Sequence, residues 1–146
     1  MKKHAAVMLI LVLALFAVCI IFPVAHGQEK GKQEGVPKEI SFTVKRLVVG
    51  TGVENSEPVG VAETFSASTE KVYCFLEAAD IAKDTEVLFV WINGGKEMLK
   101  TTLPLKAGPK WRTYANKNLR ELKGDWKVEI KGPDGNVLKE VKFKVE

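Results

Sequence analysis

Imidazole is missing from this chain where chemistry would need it. Both histidines, His4 and His26, fall within the first 27 residues, a stretch with the character of an export signal. The remainder therefore offers no Ser-His-Asp or Cys-His pair for nucleophilic catalysis and no histidine-based zinc or iron site. Of two cysteines, Cys19 lies in the same opening stretch and Cys74 stands alone. One thiol supports neither a thiolate cluster nor dithiol redox chemistry within a chain. Gly50-Thr51-Gly52 lacks the rest of any phosphate-loop fingerprint. No cofactor or metal is expected, and no catalytic residue is assigned.

Carboxylates are the acid/base groups left. Asp80, Asp84 and Glu86 recur at even spacing, as calcium ligands can, but lack the Asp-rich pattern of a calcium loop with its central Gly. A solvated loop is the better reading. Asp125 and Asp134 flank turns, where Asp bonds nearby backbone. Glu63 shares strand phase with Val61 and Phe65; pointing inward, it would need a partner such as Arg46 or Arg112. A hydrolase built on Glu63 or Asp125 is the weakest of three functional readings.

The positive candidate is Lys110-Trp111-Arg112-Thr113-Tyr114-Ala115-Asn116-Lys117. Two aromatics, an Arg and a Lys sit close together on what reads as a short strand and loop. Exposed, Trp111 and Tyr114 could stack on a sugar or a peptide side chain, and Arg112 could grip a carboxylate bidentately, with Lys117 nearby. Against this, Trp111 could pack into the core and Arg112 could pair with an internal acid. A second candidate surface is Leu88, Val90 and Ile92. The run Val87–Ile92 is apolar throughout, so if Val87, Phe89 and Trp91 enter a core, the alternate row must be covered by a loop, by the linker or by a partner.

What must position these groups is a β architecture. The chain opens MKKHAAVMLILVLALFAVCIIFPVAHGQ: two lysines, an uncharged apolar run from Ala5 to Val24, then small residues at Ala25 and Gly27. Residues 1–27 read as an export signal cut after Gly27, or as an uncleaved anchor helix, since about 20 apolar residues just span a bilayer. Either way the rest is expected outside the cytoplasm, periplasmic or secreted or membrane-anchored. Val18 before Cys19 and the apolar Ile20-Ile21-Phe22 after it argue against lipidation. Without Lys2 and Lys3, 20 basic residues face 18 acidic ones. The signs are interspersed, which points to neither nucleic acid nor a polybasic membrane patch. The membrane is expected to matter only through the N-terminal segment, if that is uncleaved.

Residues 28–38 (QEKGKQEGVPK) form an aperiodic linker. From residue 39 the period is two. Ile40–Val44 alternates, and the phase slips near Lys45-Arg46, which suggests a bulge. Val59, Val61 and Phe65 share a face. Val72–Leu76 and Val87–Ile92 are apolar on both faces and read as central strands, with Cys74 buried. Met98–Leu105 is a weaker strand ending near Pro104, and Trp111–Tyr114 is short. Trp126-Val128-Ile130 and Val141-Phe143-Val145 alternate with lysines and a glutamate. Asn93-Gly94-Gly95 and Pro133-Asp134-Gly135-Asn136 read as hairpin turns; Ile81–Lys83 and Lys117–Leu122 as single helical turns. The sum is an all-β, antiparallel, immunoglobulin-like sandwich of about seven to eight strands over residues 39–146.

Five blocks, EPVGVAETFSA (57–67), KVYCF (71–75), VWINGGKE (90–97), KWRTYANK (110–117) and GDWKVEIKGPDGNVL (124–138), together resemble the family known as domain of unknown function 2914 over roughly residues 54–145. Asn93-Gly94-Gly95-Lys96 carries one more Gly than the family's Asn-Gly-Lys, which would loosen that hairpin. The resemblance implies a domain of exported or membrane-attached bacterial proteins and brings no activity or catalytic residues. A looser likeness is to immunoglobulin-type sandwiches, with Trp91 as the third-strand core Trp and Trp126-x-Val128-x-Ile130 in the closing hairpin, but without their second cysteine. The expectation for function is a non-enzymatic module binding a protein partner or an envelope polymer. The alternatives are a carbohydrate- or peptidoglycan-binding module using Trp111 and Tyr114, and the carboxylate hydrolase.

Overall fold

Alternation becomes strand over most of residues 40–146, which the computed structural model describes; the expected signal or anchor and the linker lie outside them. The strands are β1 (Thr43–Gly50), β2 (Gly52–Glu54), β3 (Glu57–Val59), β4 (Thr64–Phe65), β5 (Lys71–Ile81), β6 (Thr85–Asn93), β7 (Lys96–Leu105), β8 (Gly108–Asn118), β9 (Gly124–Lys131) and β10 (Val137–Val145), with no helix among the described residues. One sheet has three strands in the order β1-β5-β8, a second five in the order β4-β10-β9-β6-β7, and β2-β3 form a separate hairpin. All pairings are antiparallel except β4 with β10. The two doubly apolar runs are interior strands of their sheets, β5 in one and β6 in the other, as their composition requires.

The core lies between the two sheets. From the three-stranded sheet it takes Leu47, Val49, Val72, Cys74, Leu76, Ala78 and Ala115; from the five-stranded sheet Val87, Phe89, Trp91, Trp126, Val128, Ile130 and Phe143. Phe143 is its aromatic hub. Its ring lies nearly parallel to Trp126 (14°, centroids 5.8 Å apart) and edge-on to Phe65 and Trp91 at 5.7 and 6.4 Å. Both are arrangements the ring quadrupole favours.

The turns follow local chemistry. Gly94 and Gly95 both take positive φ (55° and 84°), so the extra glycine completes a tight two-residue hairpin of the kind that matches strand twist. The expected loosening does not occur: the register shift falls instead beyond the turn, where Trp91 pairs Leu99 and Ile92 pairs Glu97. In the β9–β10 turn Gly135 takes φ 83°, and Asp134 accepts the Asn136 N–H at 3.0 Å. The bulge expected near Lys45 is present, as a register shift between Val44 and Arg46.

Three local expectations are corrected. Lys117–Leu122 is not a helical turn: Arg120 and Glu121 both have positive φ, and the Leu122 N–H bonds Leu119 C=O at 3.0 Å. That reversal drops Leu119 into the core and lets the Leu122 carbonyl accept the Trp126 indole N–H at 3.0 Å. Ile81–Lys83 is likewise no helical turn; Ile81 closes β5. Val59, Val61 and Phe65 do not share a strand face, because β3 ends at Val59 and the chain is not strand again until β4 at Thr64: Val61 is exposed while Phe65 is buried.

Truncating the hub should show how much the fold depends on it. Phe143→Ala is expected to cost about 3–5 kcal/mol in urea unfolding, whereas Val61→Ala should stay within about 0.5 kcal/mol.

Candidate binding surfaces

Each sheet has an outer face, and each is roofed differently. On the three-stranded sheet the register pairs Arg46 with Glu77, Val48 with Phe75, Glu77 with Arg112 and Phe75 with Tyr114. Phe75 is therefore an outward residue, yet it is 1% exposed. Its cover is Arg46, whose guanidinium lies 4.9 Å from the ring centroid. The β2-β3 hairpin holds this roof in place. Gly50 permits the approach, since a Cβ there would run into the Val59 carbonyl, and the Thr51 N–H bonds that carbonyl at 3.0 Å. From the hairpin, Glu57 bridges Arg46 (2.5 Å) and Arg112 (2.7 Å), and Arg112 Nε donates to Glu77 at 2.7 Å.

The Arg112 hydrogen bond holds the Glu77 carboxyl below the usual carboxylate range, and Glu77 in return raises Arg112. Arg112 thus has an acidic partner, as one of its two sequence readings held. Its partners are Glu57 and Glu77, not Glu63. Glu63 is exposed, so its inward orientation with Arg46 or Arg112 is overturned. Glu57 and Glu77 join this group without having been marked out by the sequence. The readable signal was Glu77 itself, a charge in phase with Tyr73 and Phe75 within the otherwise uncharged run 72–79.

Trp111 and Tyr114 are offset by three positions, an odd number, on an unbroken ladder. Trp111 pairs the core residue Ala78, and Tyr114 pairs the outward Phe75. The backbone therefore directs them to opposite faces of the sheet. Both are accessible, at 36% and 46%. Tyr114 has a ring neighbour, Tyr73, at 5.9 Å and a 57° tilt. Arg112 and Tyr114 share the outer face, while Lys117 shares the side of Trp111 and pairs Val72. Lys117 is half-buried; desolvation, then the charge of Arg120, lowers its pKa, and its ammonium donates to the Asn118 carbonyl at 3.1 Å. Strand β8 runs eleven residues, longer than the stretch expected around Trp111–Tyr114, because its edge positions are polar and mask the period.

The outer row of β6 is covered by ion pairs. Val90, 1% exposed, pairs Lys100 and Glu129; Leu88 and Ile92 are half-buried beside Lys131 and Lys127. Lys127 and Lys131 both reach Glu129, at 2.7 and 3.5 Å, and Lys127 and Lys142 reach Glu140, at 3.7 and 3.5 Å. Lysine stems lie along apolar surface while their heads pair. Lys127 lowers the Glu129 pKa and is itself raised.

An open groove of about 770 Å³ brings Glu63 and Asp125 into one lining with Ile92, Lys127, Lys142 and Lys144. Asp84 is a structural acid: it accepts the Ala107 N–H and the Lys106 ammonium, each at 2.9 Å, and these bonds lower its pKa. Asp80 sits at positive φ opposite Pro109, where the β5–β8 ladder skips a pair. Among the described residues no three His, Cys, Asp or Glu side chains converge as a metal site. Cys74 is buried in the core, and desolvation pushes its thiol pKa well up, which makes it unreactive.

Residues 84–145 match the family model described as "Protein of unknown function (DUF2914)", the family that the sequence blocks resemble. The match begins at Asp84, so the blocks at 57–67 and 71–75 lie before it. No curated protein matches the chain. Among solved structures, the β-glucosidase EmGH1 from Erythrobacter marinus is similar over 73% of this chain at 6% identity and a TM-score of 0.50. The β-D-glucoside glucohydrolase from Trichoderma reesei is similar over 72% at 12% identity and a TM-score of 0.47. The chain spans 15% and 19% of those enzymes, and the likeness to the first is one of fold alone.

A depressed folded-state pKa at Glu77 means stability that is present above the unfolded carboxylate value, near ~4.3, and lost as pH falls through the folded value. The urea midpoint should therefore fall between about pH 5 and pH 3. The fall should be smaller in Glu77→Gln; an equal fall in both proteins would remove Glu77 from the account.

Proposed function

We propose that this chain is an exported, non-enzymatic β-sandwich module of immunoglobulin-like type that binds a protein partner or an envelope component through the β8 side of its three-stranded sheet. The observation that carries this reading is the exposure of Tyr114 and Trp111 on an edge strand, on either side of an Arg112 already held in place by Glu57 and Glu77. Rigid aromatic side chains beside an Arg are the residues most often dominant in binding. The Leu88-Val90-Ile92 row is the poorer candidate, because lysine stems and ion pairs already cover it. The immunoglobulin-like assignment is supported by the two sheet orders and by the short β4, which runs parallel to the last strand at the edge of the five-stranded sheet. Export rests on the composition of residues 1–27, and the absence of catalysis on the lack of imidazole after residue 27.

A carbohydrate or peptidoglycan ligand is the second reading. It is favoured by the Tyr73–Tyr114 ring pair on one face, but it no longer has Trp111 on the same platform.

Pulldown from envelope extract with the full chain, alongside co-sedimentation with insoluble peptidoglycan, separates these. Tyr114→Ala is expected to reduce recovery of a specific protein about tenfold, with Ile92→Lys unchanged and the melting temperature retained. If Tyr114→Ala and Trp111→Ala recover what wild type recovers, the β8 surface is wrong. Tyr114-dependent sedimentation with peptidoglycan would select the second reading.

A further inference from the structure

The two sheets end in four edges, and three carry a structural device against further pairing. β1 is bulged between Val44 and Arg46, β4 is two residues long, and β7 mixes charge sign through Lys96, Glu97 and Lys100, with Pro104 near its end. Bulges, short edge strands, prolines and charges are how sheets avoid templating another chain. β8 differs. It is eleven residues long, and it pairs β5 in unbroken register from Lys71↔Asn118 to Ala79↔Lys110. No other strand pairs with it, and among the described residues no backbone hydrogen bond from outside its own ladder reaches 109–118. Pro109 removes a donor only at its start. Over Lys110–Asn116 the alternate N–H and C=O groups that point away from β5 are open, while the Asn118 carbonyl accepts the Lys117 ammonium.

The charges on this edge have one sign. Lys110, Arg112 and Lys117 are its ionisable cations, Arg112 being already paired with Glu57 and Glu77; it holds no Asp or Glu, and Arg120 stands two residues beyond it. Two copies of β8 laid antiparallel would bring the cations of both along one seam with no carboxylate on either strand, so self-pairing is disfavoured. An acidic strand meets the opposite situation. Each side of the edge offers one accessible ring and, among the described residues, an unpaired lysine: Tyr114 with Lys110 outward, Trp111 with Lys117 on the other side. Side chains of an added strand alternate between these two sides. Main-chain hydrogen bonds then give affinity and the flanking side chains give selectivity.

We propose that the free edge of β8 captures an extended, acidic segment of a partner protein by strand addition over Lys110–Asn118. This rests on the β8 reading above and specifies its mode and the chemistry of the partner.

The test uses the full chain and two synthetic peptides of roughly ten residues, enough to span the strand. One alternates Glu with Val, the other Lys with Val. The expected result is saturable binding of the Glu peptide, with slowed amide hydrogen exchange confined to residues 110–118 and to the peptide. Binding should weaken at least tenfold in Lys110→Glu/Lys117→Glu and less in the milder Lys110→Gln/Lys117→Gln, and the Lys peptide should bind at least tenfold more weakly than the Glu peptide. No binding of the Glu peptide, equal binding of both peptides, or protection elsewhere (on the Lys127/Lys142 face, for instance) would overturn the proposal and leave the cations as protection only. A protein whose recovery depends on Tyr114 but which leaves the 110–118 amides unprotected would overturn strand addition while the surface assignment stood. Loss of the Tyr114 dependence itself would remove the surface assignment.

Discussion

A sandwich has one inside, and two of its strands here are apolar on both faces. That constraint governs the rest of the molecule. β5 and β6 each send one row into the shared core and a second row outward, and the outward row has to be kept from water by something other than the opposite sheet. On the three-stranded sheet the cover is an arginine laid on Phe75 and held by a hairpin glutamate. On the five-stranded sheet it is a grid of lysines and glutamates over Val90. Partly exposed ion pairs of this sort contribute about 0–1 kcal/mol each. Burying a Phe or a Val side chain contributes roughly 1.5–3 kcal/mol. The charged roofs therefore act mainly through the apolar surface they shield, and their Coulomb energy fixes where the stems lie.

This weighting explains why the β2-β3 hairpin folds back at Gly50. Without it, Glu57 would not reach across β5 to tie Arg46 on one edge strand to Arg112 on the other. The same link fixes Arg112 and Glu77, the ladder partners beside Phe75 and Tyr114. A binding surface assembled around Arg112 thus begins with its guanidinium already ordered, so less side-chain entropy remains to be lost on association.

Much of this was legible in the sequence because alternation is a two-way statement. Val87, Phe89 and Trp91 had to be inward together, and the Trp126–Ile130 and Val141–Val145 strands follow the same rule. The turns at Gly94-Gly95 and Asp134-Gly135 were legible from residue type. What stayed hidden was non-local. β8 reads as short because an edge strand has little to bury on one side, and Pro109, Lys110, Arg112 and Asn116 break the pattern that a central strand would show. Glu57 and Glu77 are twenty residues apart and meet only through Arg112, on a third strand. The parity that separates Trp111 from Tyr114 was available in the numbering, but it has meaning only once the whole stretch is known to be one unbroken strand.

The uneven treatment of the sheet edges is the remaining feature that ties structure to function. A bulge, a very short strand and charges of mixed sign each act against pairing, and β1, β4 and β7 each have one, while prolines stand near one end of both β7 and β8. Cations alone do something different, because they repel only strands of their own sign. Along β8 they stand beside two accessible rings that are costly to leave in water, while the aromatic residues elsewhere in the described chain are buried or stacked beneath a guanidinium, apart from the half-buried Tyr73 against Tyr114. A protective role explains the lysines but not the rings. Selective pairing with an acidic strand accounts for both, since the rings supply the apolar contact that main-chain hydrogen bonds alone, worth only about 1 kcal/mol net each, would lack.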